Sequence, residues 1–491
     1  MNKIIQINKE DNVVVALMKL EKGTVILDDI ILEETIDFGH KVAIKDIAKD
    51  ELIIKYGYPI GEATKNIKKG EWVHTSCIKT RLEDNIEYKY QPNIHEGVKI
   101  EPRSFMGYRR ENGKVGIRNE VWIIPTVGCI NNVVTKLAEM SKKMIKETNI
   151  EDVVAFVHPY GCSQMGDDQE NTKLILSDLI THPNAGGVLV VGLGCENSNI
   201  DELKKYINDQ ELENVHFINL QDHEDEITDA LGMITEIVKK AALNKREPIL
   251  ASELIVGLKC GGSDGLSGIT ANPCVGYFSD KLIAQNGTTI LTEVPEMFGA
   301  ETILMNRCQN TDVFNKTVAL INEFKDYYRN HGQTIYENPS PGNKAGGIST
   351  LEDKSLGCTQ KAGQATVVDV LAYGEKVKIK GLNLLSAPGN DLVASTALAC
   401  SGAHIVLFTT GRGTPFGCPV PTLKISSNDA LAHKKANWID FNAGVIANGH
   451  SLDETSNDLM DLVLKVASGE LVKAEVSGYH DMAIFKQGVT L

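Results

Sequence analysis

The chain reads as an α/β protein in which a small all-β unit precedes two α/β units. Three observations predict this. Residues 1–90 hold short β-rich pieces (NVVVALMKL, GTVIL, HKVAIKDI, ELIIKYG, EWVHTS) set between Gly, Asp and Lys turns, with no long amphipathic helix. From about residue 105, nearly continuous apolar runs alternate with helical patterns, as strands buried on both faces require. The length of 491 residues also exceeds one ordinary core, at roughly 150 residues per domain.

The elements follow in order. Around EYKYQPNIHEGVKIEPRSF, two prolines and a lack of periodicity mark 91–104 as a linker. A middle α/β unit is expected over 105–247. In it NEVWIIPTV (119–127) leads to a helix over about 131–147, EDVVAFVH (151–158) to one near 170–181, and GGVLVVGLG (186–194) to NIDELKKYIND. The charged helical stretch DEITDALGMITEIVKKAALNKRE closes that unit. The last unit, 248–491, has its best strands in ASELIVGLK, TTILTE, KGLNLLSAP and AHIVLFTT, with helices near 275–286, 296–306 and 311–330. The Gly/Pro-rich stretch at 336–357 reads as a long loop suited to a ligand.

Charge and composition remove several function classes. A net charge of -15 with no basic stripe argues against a nucleic-acid partner. No apolar run approaches the roughly 20 residues of a membrane span, and MNKIIQINKEDN has no apolar signal region. A cytoplasmic setting is expected, in which the ten cysteines stay reduced and free for metal. No GxxxxGK[ST] occurs, and GRGTPFG has the wrong spacing for a dinucleotide turn, so nicotinamide or ATP use has little support.

Chemistry concentrates where strands end. Cys129 (TVGC), Cys162 (HPYGCSQMGDD), Cys195 (VGLGCE) and Cys260 (GLKCGGSDG) each follow an expected strand, the place where open α/β sheets bind ligands. One such thiol is ordinarily a small buried hydrophobe, but four in matching positions point to a site for iron, as single ions or a cluster. The other six cysteines are read as buried hydrophobes. Nearby lie His158, Asp264, Asn272 and Glu293, whereas Glu296, after Pro295, suits the first turn of a helix. Arg118, Lys344 and Arg412 sit in glycine-flanked turns suited to a carboxylate, and His40 and His74 occupy similar turns of the β-rich unit.

GHKVAIKDIAKDE, YGYPIGEAT and KKGEWVHTS resemble the N-terminal SAF-type (β-clip) domain of the altronate/galactarate dehydratase family. GYRRENGKVGIRN, HPYGCSQMGDD, LKCGGSDGLSGITANP, TEVPEMFGAE, NPSPGNKAGGISTLEDKSLG and TTGRGTPFG resemble its main body, in order from about residue 38 to 428. The resemblance implies a SAF domain, a middle domain that helps form a homodimer, and a Rossmann-like C-terminal domain with a parallel sheet. It implies a hydro-lyase that uses ferrous iron on sugar acids. The length and HPYGCSQMGDD lie nearer the altronate than the galactarate branch, so the implied reaction takes D-altronate to 2-keto-3-deoxy-D-gluconate. A related sulfolactate lyase carries the β-clip part on another chain, unlike the fusion seen in this sequence.

On that reading Cys129, Cys162, Cys195, Cys260 and Glu293 are the expected iron ligands. Lys344 and Arg412 are expected to hold the carboxylate, and His158 or Asp264 to take the C2 proton. His40, His74, Arg118 and Asn272 are expected to contact substrate. An NAD(P)-dependent oxidoreductase on the same scaffold is the different-class alternative.

Overall fold

A computed structural model describes residues 3–27, 29–82, 87–94, 100–335 and 338–488. Part of the expected linker, at 95–99, and residues 336–337 of the expected loop lie outside the described residues.

The N-terminal stretch forms a four-stranded antiparallel sheet and a three-stranded one, built from strands of two to six residues around Val13, Val15, Ile53, Ile60 and Val73. A four-stranded parallel sheet follows. Its strands are β1 (Glu120–Pro125), β2 (Val153–Ala155), β3 (Ala185–Gly192) and β4 (Val215–Asn219), in spatial order β2-β1-β3-β4. Both faces are covered. Val121 and Ile123 enter the core with helices α1 (Asn131–Ser141) and α3 (Glu226–Ala241), while Trp122 and Ile124 enter the one with α2 (Asp167–Ile180). This two-sided burial is the reason the run reads as continuously apolar.

The largest sheet is parallel throughout, in order β7-β8-β6-β5-β9-β10-β11. Its strands are β5 (Ile255–Cys260), β6 (Thr288–Leu291), β7 (Val367–Leu371), β8 (Leu382–Leu385), β9 (Ile405–Thr410), β10 (Thr422–Ser426) and β11 (Phe441–Asn442). The chain leaves β5 toward β6 on one side and returns as β9 on the other, so a crevice opens beyond the carboxyl ends of β5 and β9. Sequence periodicity passed over β7, β10 and β11, which are short or carry polar residues. The expected loop at 336–357 is largely helical: Pro341–Ala345 starts on a capping box at Ser340, and α4 (Leu351–Cys358) follows.

The N-terminal unit is seated on the last one through buried charge and close backbone contact. Lys41 and Lys55 both reach the Asp353 carboxylate, at 2.8 and 2.9 Å, and all three side chains are fully buried or nearly so. Against its own desolvation, Asp353 is held far below the usual carboxylate range by the two ammonium groups. Gly39 (φ 81°) lies so near the turns at Gly265 and Gly347 that a Cβ on either would stand 2.0 to 2.2 Å from the Gly39 carbonyl oxygen. This seat brings His40 and His74 to the edge of the crevice. Among the described residues no helix is long and apolar enough to cross a membrane.

Candidate active site

The crevice ends in a buried set of charges and thiols. Cys260, the last residue of β5, has its Sγ 2.9 Å from Glu296 Oε2 and 3.5 Å from the Sγ of Cys358 at the end of α4. Lys354, also on α4, binds the other Glu296 oxygen at 2.6 Å. Lys361 lies 4.0 Å from Glu296 Oε2 and 3.5 Å from Glu293 Oε2. Glu293, in the left-handed region (φ 68°), pairs with Lys259 and accepts the Cys260 amide at 2.9 Å. Lys259 also reaches Asp391 at 2.9 Å. Cys260, Gly261, Gly262, Glu296, Lys354 and Asp391 are among the residues lining a cavity of about 540 Å³ above this set.

Burial drives Glu293 upward, helped by Glu296, whereas Lys354, Lys361 and Lys259 overcome the burial of Glu296 and hold it far below the usual carboxylate range. The Cys358 thiol is pushed up by its hydrogen bond with Cys260 and by burial.

Among the described residues, Cys260, Glu296 and Cys358 are the set of three metal-donor side chains whose ligand atoms lie within 4.8 Å of one another. Charge tests the fit. Three ammonium groups (Lys259, Lys354, Lys361) face three carboxylates (Glu293, Glu296, Asp391), so the set balances with neutral thiols. A dication entering as the two thiol protons leave preserves that balance, and two sulfurs with one carboxylate suit a soft or borderline divalent ion.

Three other predicted residues meet the 341–345 helix, which lends Pro341 and Asn343 to the cavity wall, and His74 packs beyond His40. Arg412, after β9, is exposed and donates to the Gly342 carbonyl at 3.3 Å. Lys344 is exposed on the short helix at 341–345. His40 has both ring nitrogens engaged, one accepting from Trp72 Nε1 at 3.1 Å and the other on the Ala345 carbonyl at 3.2 Å. The His74 ring stacks on Trp72 at 4.9 Å and meets His40 edge-on at 5.0 Å, and its buried Nδ1 has no hydrogen-bond partner among the described residues.

The remaining expectations meet other surroundings. The four cysteines do not share a site: Cys260 is buried in the last unit, while Cys129, Cys162 and Cys195 are exposed on the middle sheet. Glu293 has its oxygens on Lys259, Lys361 and the Cys260 amide, outside the three-donor set. Asp264 accepts from Leu266 N, Ser267 Oγ, Ser427 Oγ and Asn428 Nδ2, which ties the turns after β5 and β10 together and leaves its carboxylate no room to act as a base. All five Arg118 donors are used within the fold, on Glu475 and on the Ile117, Val466 and Glu470 carbonyls, so none is left for substrate. Asn272 spans Gly357 O and Thr409 Oγ1.

His158 is equally committed, with Nε2 on Pro125 O at 2.7 Å and Nδ1 accepting from Tyr160 N. Burial lowers its pKa to about 4, and lowers that of His404 likewise. Both rings are therefore neutral in the fold but protonate near 6.5 when unfolded. Between those values the unfolded chain binds more protons, so stability falls as pH drops from about 6.5 toward about 4. Each ring is expected to cost about 2 kcal/mol between pH 7 and pH 5, read as a lower urea midpoint at pH 5.

Sequence reasoning missed Glu296, Cys358 and Lys361. The first matched a helix-capping pattern, and neither of the others follows a strand. The available signal was TEVPE itself, two carboxylates spaced by three residues immediately after a buried strand.

An all-β unit set on a parallel sheet whose carboxyl edge gathers thiols, carboxylates and ammonium groups defines an enzyme equipped to move protons and stabilise developing charge. Three family models match. They are the Altronate/galactarate dehydratase SAF domain over 2–81, the second domain of D-galactarate dehydratase/Altronate hydrolase over 107–242, and the C-terminal domain of D-galactarate/Altronate dehydratase over 251–490. The chain belongs to the altronate/galactarate dehydratase family and is a hydro-lyase. It is 53% identical over 500 residues to the altronate dehydratase of Bacillus subtilis (strain 168), covering 100% of both chains. It is 50% identical to the altronate dehydratase of Escherichia coli (strain K12), over 99% of each. The galactarate dehydratase (L-threo-forming) of the same strain is 34% identical, over 95% of this chain and 93% of that one.

Proposed function

We propose that this chain converts D-altronate to 2-keto-3-deoxy-D-gluconate by removing the C2 proton and the C3 hydroxyl in the crevice above Cys260. The observation that carries the reading is the buried thiol–carboxylate–ammonium set in a chain whose relatives named altronate dehydratase align end to end. The 34% relative named for galactarate supports that substrate less well.

The chemistry asks for three things. The C2 proton is poorly acidic while the neighbouring carboxylate bears full charge, so cations must offset the charge that builds there. Arg412 and Lys344, exposed on and beside the 341–345 helix, would take the carboxylate. His74, neutral and with an unpartnered ring nitrogen, is the proton acceptor this geometry favours. Lys354, whose ammonium lines the cavity, adds positive charge beside the departing hydroxyl. Cys260, Glu296 and Cys358 would hold ferrous iron, which supplies Lewis acidity toward an oxygen of the substrate. The enol then tautomerises to the 2-keto acid.

The test is anaerobic reconstitution with ferrous iron, followed by a screen of hexonates and aldarates for 2-keto-3-deoxy acids. D-Altronate is expected to give the product without added nicotinamide. Formation of NAD(P)H with no keto-deoxy acid would overturn the reading in favour of an oxidoreductase, and preference for galactarate would overturn the substrate.

A further inference from the structure

We propose that Cys129, Cys162 and Cys195 together hold an iron–sulfur cluster at the carboxyl edge of the middle sheet, a site separate from the crevice above Cys260. The three are the exposed cysteines among ten, and the other seven are buried. A thiol usually hides, so the placing of the exposed ones matters. Cys162 follows β2, Cys129 follows β1 and Cys195 follows β3, which are three neighbouring strands about 4.8 Å apart. Cys129 and Cys195 also flank the β1/β3 position, where the strand order reverses and a parallel sheet opens its ligand crevice.

The turns that carry the thiols are fastened to one another by polar groups, Glu196, His158 and Gln164 among them buried. Glu196 accepts from Leu193 N and Gly194 N on the Cys195 turn and from Thr126 Oγ1 at the end of β1. His158 ties the end of β2 to Pro125, and Asn131 Nδ2 donates back to the His158 carbonyl at 2.9 Å. Gln164 closes the Cys162 turn on Gly161 N at 3.1 Å. Asn197 Oδ1 accepts from Ser163 N at 3.1 Å, and Ser198 N donates to Gly161 O at 3.0 Å, which joins the Cys162 and Cys195 turns. Polar side chains that fix the orientation of metal-binding groups are the usual support of such a site.

Spacing argues against a single ion. Two thiolates on one tetrahedral ion stand about 3.8 Å apart, from metal–sulfur bonds of about 2.3 Å. The three sulfurs are not gathered within 4.8 Å of one another, as the crevice donors are. A cluster places its thiolates farther apart than a single ion does, and each thiol gives up its proton on ligation. Three protein ligands leave one iron of a four-iron cluster open to an outside oxygen.

The test uses the full chain, reconstituted anaerobically with ferrous iron and sulfide and then desalted. Bound iron, acid-labile sulfide and the electron paramagnetic resonance of the reduced sample are measured. The wild type is expected to retain stoichiometric sulfide with a visible sulfur-to-iron absorption. C129S, C162S and C195S are each expected to lose most of it, while C260S and C358S keep it. The three thiols are exposed, so the serine variants are expected to keep the wild-type far-ultraviolet dichroism. Iron without sulfide in the wild type, no iron at all, or wild-type sulfide in the triple serine variant would each overturn the proposal. These readouts do not depend on turnover, so they stand or fall apart from the dehydratase reading.

Discussion

Glu296→Gln is expected to lower turnover of D-altronate by roughly 10²- to 10³-fold, the loss typical when one preorganised charge leaves an active site. The substitution keeps the shape of the side chain and removes its charge. Lys354, 2.6 Å away, and Lys361 then face an excess of positive charge in a buried pocket. Leaving ammonium groups unpaired in that setting is costly. Cys260 also loses the carboxylate 2.9 Å from its sulfur. Iron bound without sulfide is expected to fall in parallel, measured by metal analysis after anaerobic reconstitution. Full activity in a folded Glu296→Gln enzyme would show that the cavity is not where water is lost. Wild-type iron together with lost activity would confine Glu296 to an electrostatic role.

Much of the architecture was legible because burial on both faces leaves a plain trace. VWIIP and GGVLVVG are unbroken apolar runs because α2 packs on one side of them and α1 and α3 on the other. The β7 strand was not legible: VVDVL carries an aspartate at Asp369 and lies at the sheet edge, where its outer side pairs through a single bridge from Val367 to Cys308. The site divided in the same way. Strand-end thiols were visible as a pattern, but the pattern cannot tell two sheets apart, and it merged Cys260 with three thiols that belong to another unit. Cys358 and Lys361 join the buried set from just beyond 336–357, whose glycines and prolines read as loop. Polar residues near a site also look alike in sequence whether they act or hold. Arg118 and Asp264 hold, and only their filled hydrogen-bonding positions show it.

His74→Gln is expected to lower kcat by roughly 10²- to 10⁴-fold, the usual worth of a positioned general base, with little change in KM or bound iron. The expectation rests on the contrast between two neighbouring rings. Trp72 Nε1 donates to one nitrogen of His40 and Ala345 O takes the proton of the other, so His40 is fixed in one tautomer and serves to position its neighbour. His74, held between Trp72 and His40, keeps a buried Nδ1 with nothing to bond. An unmet buried nitrogen costs about 1–3 kcal/mol, a penalty that a purely structural side chain has no reason to carry. Burial, Lys41, His40 and Lys344 lower its pKa to about 4 against the opposing pull of Asp353, so the ring is neutral and ready to accept a proton at neutral pH. A bound carboxylate beside Lys344 would offset one of those cations and raise the basicity of the ring toward the range where proton transfer is efficient. Partial rescue of His74→Gln by added imidazole would mark the ring as the proton acceptor, because a merely structural role would not respond to a free base. Unchanged kcat in the variant would remove His74 from the chemistry.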